Sequence, residues 1–72
     1  MVKNRLREIR QSMNLTMEQV SSLTGYPVTT IHALETGKIS LKDEERIATF
    51  SKTYHVEPYE LFVDPNKQKV SG

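Results

Sequence analysis

Leu15–Lys38 reads LTMEQVSSLTGYPVTTIHALETGK, two helical segments joined at a glycine. Thr16 stands three residues before Gln19, the spacing of a capping box, in which each side chain satisfies the other residue's free backbone N–H. Val20 and Leu23 then read as inward positions, and Gly25 ends the helix. A second helix opens at Pro27, turns Ile31 and Leu34 inward and stops at Gly37. Gly25 suits the joint because a tight turn between helices calls for positive φ, which costs other residues more.

Two helices of about eight residues around a glycine turn form a helix-turn-helix motif. With Ile31 and Leu34 facing in, Val28, Thr29, His32, Ala33 and Thr36 share the opposite face of the second helix. That face is small and nearly uncharged. It is either a solvent face poor in charge or a surface shaped to sit close against something.

Outward from this motif the periodicity predicts an all-α, compact five-helix bundle and no strand. Residues 4–13, NRLREIRQSM, place Leu6, Ile9 and Met13 on one stripe with the arginines mostly off it. Residues 40–54, SLKDEERIATFSKTY, open on Ser40 as a cap, with Asp43, Glu44 and Glu45 in the first turns where the helix dipole favours them. Ile47, Phe50 and Tyr54 face in. A short fifth helix, EPYELF at 57–62, begins with Pro58 at a first helical position, and its Leu61 and Phe62 are too apolar to leave in water. One domain over residues 1–63 and a polar tail over 64–72 are expected.

The chain has 72 residues and net charge +1, so it holds one small domain with a marginal core, which a second copy of the chain would enlarge. It has no cysteine, which excludes disulfides, thiolate metal sites and a cysteine nucleophile. The apolar runs are too short for a membrane span or a signal peptide, and a cytosolic setting fits the absence of cysteine. Charge is uneven: Lys3, Arg5, Arg7 and Arg10 against Glu8 make residues 1–10 basic, while Asp43, Glu44, Glu45, Glu57 and Glu60 against Arg46 and Lys52 make residues 43–60 acidic. A polyanion therefore meets one side of such a molecule more easily than the other.

Residues 15–38, ending in LETGK, resemble the helix-turn-helix of phage Cro and repressor-type regulators, the XRE family. RIATFSKTYHVEPYELF at 46–62 is similar to that family's closing helices. The resemblance spans residues 3–62, with Gly25, Ile31 and LETGK as its most specific pieces. It implies double-stranded DNA as partner, a bacterial or phage origin with a cytoplasmic location, no cofactor or metal, and the 28–36 helix in the major groove of a palindromic operator bound by a homodimer. Val28, Thr29, His32 and Ala33 would then meet base edges, with Val28 and Ala33 on thymine methyl groups. Thr16 and Met17, at the N-terminal end of the helix before Gly25, and Thr36, Lys38 and Lys42 would meet phosphates, with Lys3 and Arg5 reaching from the first helix. Arg10 and Glu35 would form a structural ion pair that clamps the recognition helix. Tyr59, Leu61, Phe62 and Val63 would form the dimer interface, unless Leu61 and Phe62 close the monomer core instead.

Three positions depart from the family pattern. Pro27 stands where Ser or Thr usually caps the third helix, and Met17 where Gln often meets phosphate. The third helix also carries no Arg, Asn or Gln to make bidentate base contacts, which implies either modest specific affinity or a greater reliance on DNA shape.

A second reading is a protein-interaction module of the same fold, with Val28, Ala33, Met17 and Tyr26 as an apolar patch that binds another regulator. Salt dependence separates the two readings, since phosphate contacts weaken steeply with salt. An enzyme is not expected: His32 and His55 are the histidines of the chain, and neither has metal-spaced partners or a glycine-rich phosphate loop beside it.

Overall fold

A computed structural model describes residues 4–66. The described residues are all helical or irregular, with no strand among them: α1 Leu6–Ser12, α2 Met17–Thr24, α3 Val28–Thr36, α4 Glu44–Tyr54 and a 3-10 turn at Pro58–Leu61. The expected fifth α-helix is therefore corrected to this single turn. Four residues from Pro58 are too few to close an α-helical ladder, and the Glu57 N–H, donated to Glu60 Oε2 at 3.0 Å, completes the turn locally.

The core gathers Leu6 and Ile9 of α1, Val20 of α2, Ile31 and Leu34 of α3, Leu41, Phe50 and Tyr54 of the α4 region, and Leu61. Phe50 lies at its centre, with the Tyr26 ring centroid 5.7 Å away on one side and that of Tyr54 5.8 Å away on the other. Both pairs are tilted, an arrangement the ring quadrupoles favour. α2 and α3 pack on each other, and both lean on α4 or α1. The joint between them is held by hydroxyls: Ser21 Oγ donates to the Tyr26 carbonyl at 2.6 Å, and the Tyr26 N–H donates to Thr24 Oγ1 at 3.2 Å. Gly25 caps α2 at φ 82°. A Cβ there would meet nothing within 4 Å, so what glycine supplies is the left-handed backbone and not space.

Several expected positions differ. Leu23 is 60% exposed, because α2 turns Met17, Val20, Ser21 and Thr24 inward in its place. Ser21 and Thr24 are tolerated there because each hydroxyl is donated to a nearby carbonyl, Thr24 Oγ1 reaching Val20 at 2.8 Å. Met13 lies past the end of α1 and is exposed. Ser40 does not cap α4. Leu41 has to reach the core, which keeps residues 40–42 out of the helix, and Asp43 becomes the cap, its carboxylate accepting the Glu45 N–H at 2.9 Å.

Leu61 is fully buried and cannot belong to a dimer interface; it closes the monomer core. Phe62 follows the turn and stays 37% exposed, beside exposed Tyr59 and half-buried Val63. α4 ends on His55 in the left-handed region at φ 58°.

Tyr54 is buried, and its hydroxyl has no hydrogen-bond partner among the described residues. Burial, followed by the Glu35 charge, raises its pKa well above the usual tyrosine value. Below pH ~10, where both states hold the phenol neutral, this shift leaves stability unchanged with pH; above it the unfolded chain ionises first and the fold weakens. Tyr54→Phe removes an unsatisfied buried group and is expected to stabilise by about 1 kcal/mol, and to abolish that alkaline loss. Thermal melts of both proteins between pH 7 and pH 11 check it: a destabilised Phe variant would mean that the hydroxyl has a partner.

Candidate nucleic-acid interface

The site is built on α3. Its N-cap is Pro27, which sets φ at −62° and offers no side-chain oxygen; the Pro27 carbonyl accepts the N–H groups of Thr30 and Ile31 at 3.0 and 3.1 Å. The first-turn N–H groups of Val28 and Thr29 are thus left pointing out of the helix end. Behind the helix Ile31 and Leu34 are fully buried. In front, Thr29, His32 and Thr36 are exposed, and Val28 and Ala33 are half-buried. The front bears no carboxylate, lysine or arginine. Gly37 ends α3 at φ 84°, and the Ile39 N–H returns to the Ala33 carbonyl at 3.1 Å, which leaves Lys38 exposed at the tip.

The acidic residue of α3, Glu35, points backwards into a fork made by Arg10. Arg10 Nε donates to Glu35 Oε2 at 2.7 Å and Nη2 donates to Oε1 at 3.2 Å, while Nη1 donates to the Leu15 carbonyl at 2.8 Å. Both residues are buried, Arg10 at 8% exposure and Glu35 at 2%. Hydrogen bonding to Glu35 raises the Arg10 pKa, against an opposing desolvation cost. One guanidinium thus ties α1, the entry to α2 and the back of α3. Asn4 adds a tie that the sequence reading missed: its Oδ1 accepts the Leu6 N–H at 3.1 Å, and its Nδ2 donates to the Leu34 carbonyl at 2.9 Å.

The residues expected to flank α3 fall into different environments. Thr16 is exposed and forms the full capping box, accepting from the Gln19 N–H at 3.0 Å while its own N–H donates to Gln19 Oε1 at 2.8 Å. The N–H groups of Met17 and Glu18 then remain as first-turn donors, while the Met17 side chain packs against the core. Thr36 donates its hydroxyl to the His32 carbonyl at 2.9 Å, so its methyl is the outward group. Lys38 and Lys42 are exposed, with no ion-pair partner among the described residues.

Arg5 is not available to DNA as expected. Its Nη1 donates to the Glu60 carbonyl at 2.7 Å, and Nη2 pairs with Glu8 at 3.1 Å and approaches Asp64 at 3.8 Å. It ties the start of α1 to the closing 3-10 turn and Asp64. Lys3 lies outside the described residues. Arg7 and Gln11, one turn apart on α1, line an open groove against Thr36 at the end of α3. Their i, i+4 spacing was the available signal for this.

His32 sits on the front of α3 and His55 at the end of α4, and no group of three or more metal-ligating side chains occurs among the described residues. No helix among them is long and apolar enough to cross a membrane.

A family model described as helix-turn-helix matches residues 6–61, which covers all four helices and the closing turn. The glutamine–fructose-6-phosphate aminotransferase [isomerizing] of Methanocaldococcus jannaschii is 31% identical to the chain over 65 residues. The match takes in 90% of this chain but only 6% of that protein, so the chain spans a small fraction of the curated relative's length. No solved structure matches significantly. The motif, its glycine joint and the match over most of the chain lead to one assignment: the chain belongs to the XRE-type helix-turn-helix family of DNA-binding transcription regulators.

Proposed function

We propose that the protein binds a palindromic operator as a homodimer, with α3 in the major groove of each half-site. The observation that carries this reading is the two-sidedness of α3. Ile31, Leu34 and the Arg10–Glu35 fork pin its back, while the front is exposed and free of carboxylates. Val28, Thr29, His32 and Ala33 are the base-contacting set. Phosphates are met by the exposed Thr16 side chain and the free Met17 N–H at the start of α2, by Lys38 and Lys42, and by Thr36 once its hydroxyl swings away from the His32 carbonyl. Residues 1–63 act as the DNA-binding domain, with 64–72 as its tail.

One domain this size makes few contacts, and a dimer whose half-sites lie about 34–36 Å apart doubles them. Tyr59, Phe62 and Val63 are the proposed dimer surface, because two of them are exposed aromatic or apolar groups at one end of the molecule. The interaction-module reading loses ground: Met17 and Tyr26 pack against the core, which leaves Val28 and Ala33 of its four patch residues. The aminotransferase activity in the relative's name is not carried over, since the shared stretch is 6% of that protein.

Selection of bound duplexes from a random pool tests the proposal. A palindromic consensus is expected; its absence from the wild-type selection defeats the reading. On the selected site, Lys38→Ala is expected to weaken all sequences alike and to lower the slope of log affinity against log salt by about 1, whereas Thr29→Ala changes sequence preference. Binding that ignores salt would point to a protein partner instead.

A further inference from the structure

We infer that the protein reads its operator through the C5 methyl groups of pyrimidines, so that 5-methylcytosine substitutes for thymine at the contacted positions. The inference rests on α3 docking in the major groove. It begins from what the front of α3 lacks. The side chains that pair with two base-edge atoms at once are Arg, Lys, Asn and Gln, and none is on that face. A carboxylate to accept from cytosine N4 is missing as well, because Glu35 is held in the Arg10 fork behind the helix. Thr36 has its hydroxyl on the His32 carbonyl. Apart from the Thr29 hydroxyl and the His32 ring, what the front presents is carbon: the branched side chain of Val28, the methyl groups of Thr29 and Ala33, and the ring of Pro27 before them.

In the major groove the apolar feature of a base edge is the C5 methyl of thymine. Val28 is half-buried and β-branched, with one strongly preferred χ1 in a helix, so it meets such a methyl as a rigid surface. Thymine and 5-methylcytosine carry the same methyl on C5 and differ at C4, where one offers an acceptor and the other a donor. The Thr29 hydroxyl serves either, since it both donates and accepts. The other donors on this face are the free N–H groups of Val28 and Thr29 at the helix end and the His32 ring one turn on, and a contact from any of them to thymine O4 would make 5-methylcytosine bind as poorly as cytosine.

The test uses the full chain and the duplex recovered by selection, remade with deoxyuridine for each thymine in turn and with C·G or 5-methylcytosine·G pairs for each T·A. Loss of one contacted methyl is expected to weaken binding roughly fourfold, and roughly fifteenfold when both half-sites are changed. The 5-methylcytosine duplex should bind within about threefold of the thymine duplex, with unmodified cytosine as weak as uracil. Val28→Ala, at a half-buried position on the front of α3, should shrink the thymine–uracil difference below twofold. Two outcomes overturn the inference and leave groove docking intact. One is equal binding of thymine and uracil duplexes while 7-deazapurines weaken it; the other is 5-methylcytosine bound as poorly as cytosine. Failure to recover any specific duplex removes the docking reading and this inference together.

Discussion

Arg10→Met and Glu35→Leu are each expected to destabilise the fold by about 3–5 kcal/mol, whereas the double variant loses much less than the sum. Each single change strands a charge in a site where the wild-type partners are 8% and 2% exposed. The fork is bidentate, at 2.7 and 3.2 Å, so removing either residue takes two charge-assisted hydrogen bonds from the other. A domain of 72 residues holds roughly 4–11 kcal/mol in total, so a single variant approaches the unfolding threshold at room temperature. The double variant replaces the pair with apolar groups and keeps a residual cost, because the Leu15 carbonyl loses the Arg10 Nη1 donor.

Arg10 itself adds no slope to stability between pH 5 and pH 9. Its pKa is raised, so its contribution is complete below the ordinary arginine range and is lost only above it. Urea titrations of the four proteins decide the matter. If the two single losses simply add, the fork is not an energetic unit.

Thr29→Glu is expected to lower operator affinity at least about a hundredfold, through like-charge repulsion costing several kcal/mol, with the melting temperature unchanged or slightly raised. Thr29 is exposed at the second position of α3, and that helix has no acidic residue in its first turn and no side-chain cap. A carboxylate there interacts favourably with the helix dipole by about 0.3–1 kcal/mol in the free protein. Against phosphates lining a groove, the same charge is repelled. Stability and binding therefore move in opposite directions, which a misfolded variant would not do. Wild-type affinity in the Glu variant, measured by fluorescence anisotropy, would show that α3 is not the element that meets DNA.

The helices of the motif were legible because their signals are local. Thr16 with Gln19, Gly25 after α2 and Gly37 after α3 act through backbone groups within a few residues. Ile31 and Leu34 declared the back of α3 by spacing, and so its front as well. The fifth element was read one class too regular, since EPYELF has helical caps but only enough residues for a 3-10 turn. Arg5 shows a different limit. A basic residue near a predicted DNA face looks like a phosphate ligand, and nothing local says that Glu60, Glu8 and Asp64 come to surround it.

By itself the sequence determined that the chain is helical, where its two central helices begin and stop, and which side of α3 faces out. Caps, glycine conformations and apolar periodicity are settled among near neighbours. Packing of distant segments placed Leu23 in water with Ser21 and Thr24 half-buried, delayed α4 until Asp43 by drawing Leu41 into the core, and set Leu61 inside the monomer core. The physical reason is common to all three. Whether a side chain is better buried depends on the partner it finds there, a carbonyl for a hydroxyl or a gap for a leucine, and those partners are brought together only when distant segments pack.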